Sequence, residues 1–135
     1  MWRTEIVDGT KLDVEEVAAL YVASTLAERR PVGDRKRFTE MLRNANLVTA
    51  AYQEDLLIGI SRSLTDWSYA TYLCDLAVDR RFQRQGVGKD LLRATQEAAP
   101  TTKIILLSAP AATDYYPHVG FKQHNSAWVL DPIES

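Results

Sequence analysis

The spacing of apolar positions changes several times along the chain, and each change marks an element. Residues 4–7 read as a short strand closed by Asp8-Gly9. Asp13, with Glu16 three residues on, has the signature of a helix start. Val14, Val17, Ala18, Tyr21 and Thr25 then fall on one helical face, which ends in residues 28–33 around Pro31. A second helix is expected over 34–44, with Phe38, Met41 and Leu42 inward. Two strands come next, 47–53 and 56–64, joined tightly through Glu54-Asp55. After a turn at 65–68 comes a third run, 69–78.

Beyond it, Val87, Leu91, Leu92, Thr95 and Ala98 again lie at helical spacing, until Pro100 breaks the pattern. The Ile-Ile-Leu-Leu run within 103–108 predicts a strand buried on both faces. A short helix over 111–116, with Pro110 in its first turn, and a last strand over 128–130 complete the reading. The order is β-α-α-β-β-β-α-β-α-β, an α/β domain without repeats or an interdomain linker.

Length and composition narrow the class. The 135 residues fit one domain over 1–135, with 46% hydrophobic and 25% charged residues, as expected of a soluble globular chain. A net charge of −2 argues against a general nucleic-acid partner. The lone Cys74 leaves no internal disulfide, suits a reducing compartment, and in an apolar strand reads as a packed core thiol. No apolar run is long enough for a membrane span, and the first residues do not read as a signal peptide. The expected setting is the cytoplasm, with no membrane partner, as a monomer or homodimer.

The segment between the third strand and its following helix carries the chemistry. Asp79-Arg80-Arg81 ends the apolar run, and Gln83-Arg84-Gln85-Gly86-Val87-Gly88-Lys89 leads into the helix. Glycine at 86 and 88 lets the backbone turn tightly and approach a ligand closely. Unpaired amides at a helix start favour an anion, and Arg80, Arg81, Arg84 and Lys89 crowd the same place. A phosphate or pyrophosphate is the simplest ligand. The pattern is neither a Walker loop nor the three-glycine dinucleotide fingerprint.

Gln83-x-x-Gly86-x-Gly88, after a strand ending Leu76-Ala77-Val78, resembles the pyrophosphate-binding motif of the GNAT superfamily of N-acetyltransferases. A second stretch, Asp114-Tyr115-Tyr116-Pro117-His118-Val119-Gly120-Phe121, is similar to the aromatic segment and Gly-Phe found later in that family's chains. The resemblance implies a mixed central sheet whose fourth and fifth strands splay to admit a coenzyme A arm, flanked by about four helices. It implies acetyl-CoA as cosubstrate, a primary amine of a small molecule or peptide as acceptor, and direct attack in a ternary complex. It places Leu76, Ala77, Val78, Gln83, Arg84, Gln85, Gly86, Val87, Gly88 and Lys89 along the cofactor. It assigns the backbone amide of Val78 to the oxyanion and Tyr116 to the leaving thiol. The chain departs from the family in having Ser108-Ala109 where many members carry an asparagine, and in Pro117 directly after Tyr116.

An amine acceptor must lose a proton. Asp75 is the carboxylate best placed by sequence to take it, but a structural acceptor for backbone amides is the preferred reading of it; Asp66 or Glu28 would act through water. Tyr115 reads as a packing or substrate-lining residue. Trp67 and Trp128 are either pocket walls or core, and His118 and His124 lack ligand spacing for a metal. Outside catalysis, the same features suit an acyl-CoA-binding module without activity, or an interaction domain with a basic turn.

Overall fold

The computed structural model describes residues 1–134. Five strands form one sheet in the order β1-β2-β3-β4-β5: Arg3–Val7, Leu47–Gln53, Leu56–Thr65, Ala70–Val78 and Lys103–Ile105. The first four are antiparallel neighbours, and β5 joins β4 in parallel. Three α-helices flank the sheet: α1 Val14–Ala23, α2 Arg35–Asn44 and α3 Val87–Ala98. This is the mixed α/β architecture expected from the sequence.

The caps arise from local chemistry. Asp13 accepts from the amides of Glu15 and Glu16 at 3.0 and 3.2 Å, and Asp34 accepts from that of Arg37 at 3.1 Å. Arg35 is bonded twice to Glu15, at 2.8 and 3.0 Å, and so links α2 to α1 rather than facing solvent alone. On one side of the sheet α1 and α2 bury Val17, Tyr21, Phe38 and Leu42 against Val48, Ile60 and Ala77. On the other, Val87 and Leu91 of α3 pack on Ala51 and Ile58. Removing a buried leucine such as Leu91 from a core of this kind costs about 2–5 kcal/mol.

Several expectations are corrected. Helix α1 stops at Ala23, because Thr25 turns left-handed at φ 74° and is exposed rather than buried. A 3-10 turn over Leu26–Arg29 comes next and carries Arg30 to the edge of β4. Strand β5 has three residues instead of six, and Ile105 is half exposed, so it is not buried on both faces. No α-helix forms over 111–116; two 3-10 turns, Pro110–Ala112 and Tyr116–Val119, stand there. Pro117, in the first turn of the second, has no amide to bond back to residue 113, so no α-helical bond links the two turns there. Residues 128–130 form no strand, and Trp128 is 92% exposed. The brevity of β5 leaves little edge on which they could pair.

Strand β4 has two irregularities that open and line a gap in the sheet. It pairs with β5 only from Ala70 to Tyr72, so the stretch from Leu73 to Val78 has a free edge on that side. This is the splay of the fourth and fifth strands. Opposite β3, Arg62 pairs with Asp75 and Ser63 with Leu73, which makes Cys74 the extra residue of a bulge. The bulge lets Asp75 reach the α1 side while Leu76 faces α3.

Candidate active site

The turn after β4 is tied down by its own side chains. Asp79 accepts from the Arg81 amide at 2.9 Å and pairs with the Arg81 guanidinium at 2.8 Å, which holds the Asp79 carboxyl below its ordinary range. Gln83 donates its side-chain amide to the Val78 carbonyl at 2.9 Å and folds the loop back onto the strand end. Arg84 and Gly86 are both left-handed, at φ 65° and 102°. Gly86 caps α3 with no side-chain acceptor, so the amides of Val87, Gly88 and Lys89 have no partner among the described residues. Arg80 donates to the Ala23 carbonyl and Arg81 is spent on Asp79, whereas Arg84 and Lys89 are exposed and make no ion pair among the described residues. Three open amides, two free cations and no Cβ at the cap fit a pyrophosphate.

The strand end faces the same gap. The Asp79 amide donates to the Ile58 carbonyl on β3 at 2.9 Å. Successive amides of a strand point to opposite edges, so that of Val78 points away from β3, into the opening beside β5. Leu76 and Val78 pack against the α3 side, and Ala77 is buried toward α1. Gln85, by contrast, turns its side chain back to the Arg81 carbonyl at 3.3 Å.

Where β4 and β5 part, a cavity of about 380 Å3 opens, lined among others by Arg29, Arg30, Arg62, Cys74, Asp75, Leu107 and Tyr116. Its floor is a charged cluster. Asp75 accepts from Arg30 Nε at 2.5 Å, Arg62 Nε at 2.6 Å and the Tyr21 hydroxyl at 2.7 Å. Burial alone would push its carboxyl up; Arg62, Tyr21 and Arg30 outweigh that and hold it below the usual carboxylate range. Burial and the neighbouring carboxylate raise the Tyr21 hydroxyl well above its ordinary value. The Tyr21 ring meets Phe38 edge-on at 5.0 Å, which fixes the hydroxyl's aim.

The two tyrosines divide. Tyr116 lines the cavity, its ring edge-on to Tyr115 and Phe121, and burial raises its hydroxyl. Tyr115 points the other way: its hydroxyl lies 2.8 Å from where a Cβ on Gly88 would stand. Cys74 is half-buried on the cavity wall, not a packed core thiol. Asp66 spends its carboxylate on the amides of Ser68, Tyr69 and Ala70, in the turn before β4. Neither it nor Glu28 lines the cavity. Trp67 and Trp128 are exposed and do not line it either.

Sequence reasoning missed Arg30, Arg62 and Tyr21. A signal for one of them was present. Arg62 is the one charge in its strand, with an aspartate available in the next strand, and such a residue is buried only when paired.

Comparison with known proteins agrees with this fold. Residues 17–133 match the model of the acetyltransferase (GNAT) domain. The chain belongs to the GNAT acetyltransferase family. Among solved structures, a GNAT-family acetyltransferase from Streptococcus pneumoniae superposes with a TM-score of 0.76 at 20% identity, over 98% of this chain and 100% of that one. An aminoglycoside N-acetyltransferase in complex with CoA gives 0.74 at 16% identity, over 98% and 95%. Another, from an uncultured soil metagenomic sample in complex with sisomicin, gives 0.70 at 20%, over 97% and 95%. At these identities the likeness is one of fold. A search of curated proteins finds no match.

Proposed function

We propose that this protein transfers acetyl from acetyl-CoA to a primary amine of a small molecule or peptide by direct attack in a ternary complex. The observation that carries the reading is the uncapped start of α3 directly after a β4 whose second half has no partner on the β5 side. In this reading Val87, Gly88 and Lys89 hold the pyrophosphate through their amides, with Arg84 and Lys89 supplying charge. Acetyl-CoA contributes an activated thioester. The Val78 amide donates to the oxygen that gains charge as the amine adds. Tyr116 donates a hydrogen bond to the departing sulfur.

The proton balance limits the roles of side chains. Freeing an alkylamine with a pKa of ~10.4 at pH 7 costs about 4.6 kcal/mol. Asp75 is a poor base for this, because two arginines and a tyrosine already occupy its oxygens. We assign it to positioning, and the proton to water in the cavity. A tyrosine near ~10 is a weaker acid than a thiol near ~8.5, so full protonation of sulfur by Tyr116 is uphill by roughly 2 kcal/mol. Assistance by hydrogen bonding is the role its chemistry allows.

The experiment is thiol release from acetyl-CoA across an amine panel, alongside thermal unfolding with and without coenzyme A. Stabilisation by the coenzyme with release supports the transferase. Stabilisation without release for any amine leaves the non-catalytic acyl-CoA-binding module. Absence of both removes the reading. The neighbours named for aminoglycosides extend the panel to such acceptors.

A further inference from the structure

The cavity at the splay is positively charged, and this bears on what enters it. Its lining holds three arginines, Arg29, Arg30 and Arg62, against one carboxylate, Asp75, for a net charge of +2. Asp75 is fully buried as a side chain and its oxygens are taken, so it offers nothing to an incoming cation. Arg62 and Arg30 lie at its flanks with side chains 11% and 25% exposed. Arg30 is further fixed by donating to the carbonyls of Arg29 and Cys74 at 2.8 and 3.1 Å. Arg29, one residue before it and exposed, makes no side-chain hydrogen bond or ion pair among the described residues.

Resting on the transferase reading, we infer that the acceptor is an amine bearing an anionic group, a carboxylate or a phosphate, which Arg29 and the remaining N–H groups of Arg30 receive. A polycationic amine would enter a cavity of its own sign with no free carboxylate to pair it. An anion would find a preset guanidinium whose Nε and backbone bonds fix its plane, the geometry that suits carboxylate and phosphate. The same positive field disfavours an ammonium beside it and so raises the fraction of free amine, in a cavity that lacks an available base.

The test uses acceptor pairs that differ only in the anion: β-alanine with propylamine, and phosphoethanolamine with ethanolamine. Charge-assisted hydrogen bonds of this kind discriminate by roughly 10- to 100-fold. The anionic member of at least one pair should therefore have the higher kcat/KM by about tenfold or more. The pair that shows it distinguishes carboxylate from phosphate. Arg29→Glu should bring that ratio to about one or below, and Arg29→Ala should fall between. Calorimetry of the acetylated products, N-acetyl-β-alanine against N-propylacetamide, gives a readout independent of turnover. If the anionic product binds preferentially and loses that preference in Arg29→Glu, while no amine is acetylated, the anion site stands and the transferase reading fails. Acetyl transfer with equal or reversed preference within both pairs, or a polyamine as best acceptor, overturns the inference and leaves the transferase reading intact. Absence of both transfer and preferential product binding overturns both.

Discussion

The Tyr115 hydroxyl and the Gly88 α-carbon meet so closely that a Cβ on residue 88 would lie 2.8 Å from the oxygen. The segment after β5 therefore lies against the first turn of α3, and the two motifs that stand apart in the sequence adjoin in the fold.

The two glycines of the turn should respond differently to a methyl group. Gly86 sits at φ 102°, where an L residue is strained by roughly 1–2 kcal/mol, so Gly86→Ala should lower Tm by about 5 °C. Gly88 is helical, and what its Cβ meets is the movable end of Tyr115. Gly88→Ala should leave Tm unchanged or raised, since alanine favours a helix over glycine by about 1 kcal/mol. Thermal unfolding of both variants checks this, and the opposite ranking would contradict it.

Asp75→Asn removes the one negative charge between Arg30 and Arg62. An uncompensated charge left in such a place costs about 3 kcal/mol or more. The pH dependence has a definite sign. A carboxyl held below its unfolded value of 3.8 contributes stability that is complete above that value and is lost as pH falls through the depressed folded one. The wild-type protein should thus lose stability on acidification below that value, and the variant should show a flatter acid limb from a lower plateau. A base role would instead make the variant lose an ionising limb from its rate profile near neutrality. Urea titrations across pH, with pH–rate profiles of both proteins, separate the two.

Much of the fold and the phosphate turn is legible in the sequence because it is local. The strand, basic turn, glycine pair and helix of residues 74–98 depend on period and turn chemistry, and they stand where the pattern puts them. The Asp13 cap and the hairpin at 54–55 are legible for the same reason. The failures are mostly non-local. Whether 103–108 is a long strand depends on how far β4 stays beside it, which a run of Ile and Leu does not encode. The cluster on Asp75 joins residues 45 and 54 positions apart, and Thr25 turns left-handed to bring Arg30 there, a conformation no propensity favours for threonine. Pro117 is the local exception: it sits in the first turn of Tyr116–Val119 and has no amide to bond back to residue 113, so no α-helix continues from 111–116 through it.

Tyr116→Phe keeps the ring that packs on Phe121 and removes only the hydroxyl of a residue that lines the cavity. A positioned proton donor contributes typically ~100- to 10,000-fold. Because a thiolate leaves without a full proton, the loss should be near the lower end, with acetyl-CoA affinity unchanged. Burial raises this hydroxyl, so no limb in the neutral pH range should belong to it. Tyr115→Phe should leave turnover close to wild type, its effect falling on acetyl-CoA affinity because its hydroxyl sits over α3. Steady-state kinetics with saturating acceptor checks both; a large kcat loss confined to Tyr115→Phe would reverse their roles.

Cys74 gives a chemical probe of the cavity. Its thiol is half-buried on the wall, and burial raises it above the ordinary thiol value, against the opposing pull of Arg62. Less thiolate is therefore present at pH 7, so iodoacetamide should react slowly there and faster as pH rises. The added group would occupy part of a cavity of about 380 Å3 beside Asp75 and Tyr116. Activity should fall in step with labelling, tracked by intact mass, and an accepted amine at saturation should slow both. Cys74→Ser should keep whatever activity it has through the same treatment. Complete labelling of the wild-type protein without loss of turnover would show that the acceptor does not pass this wall.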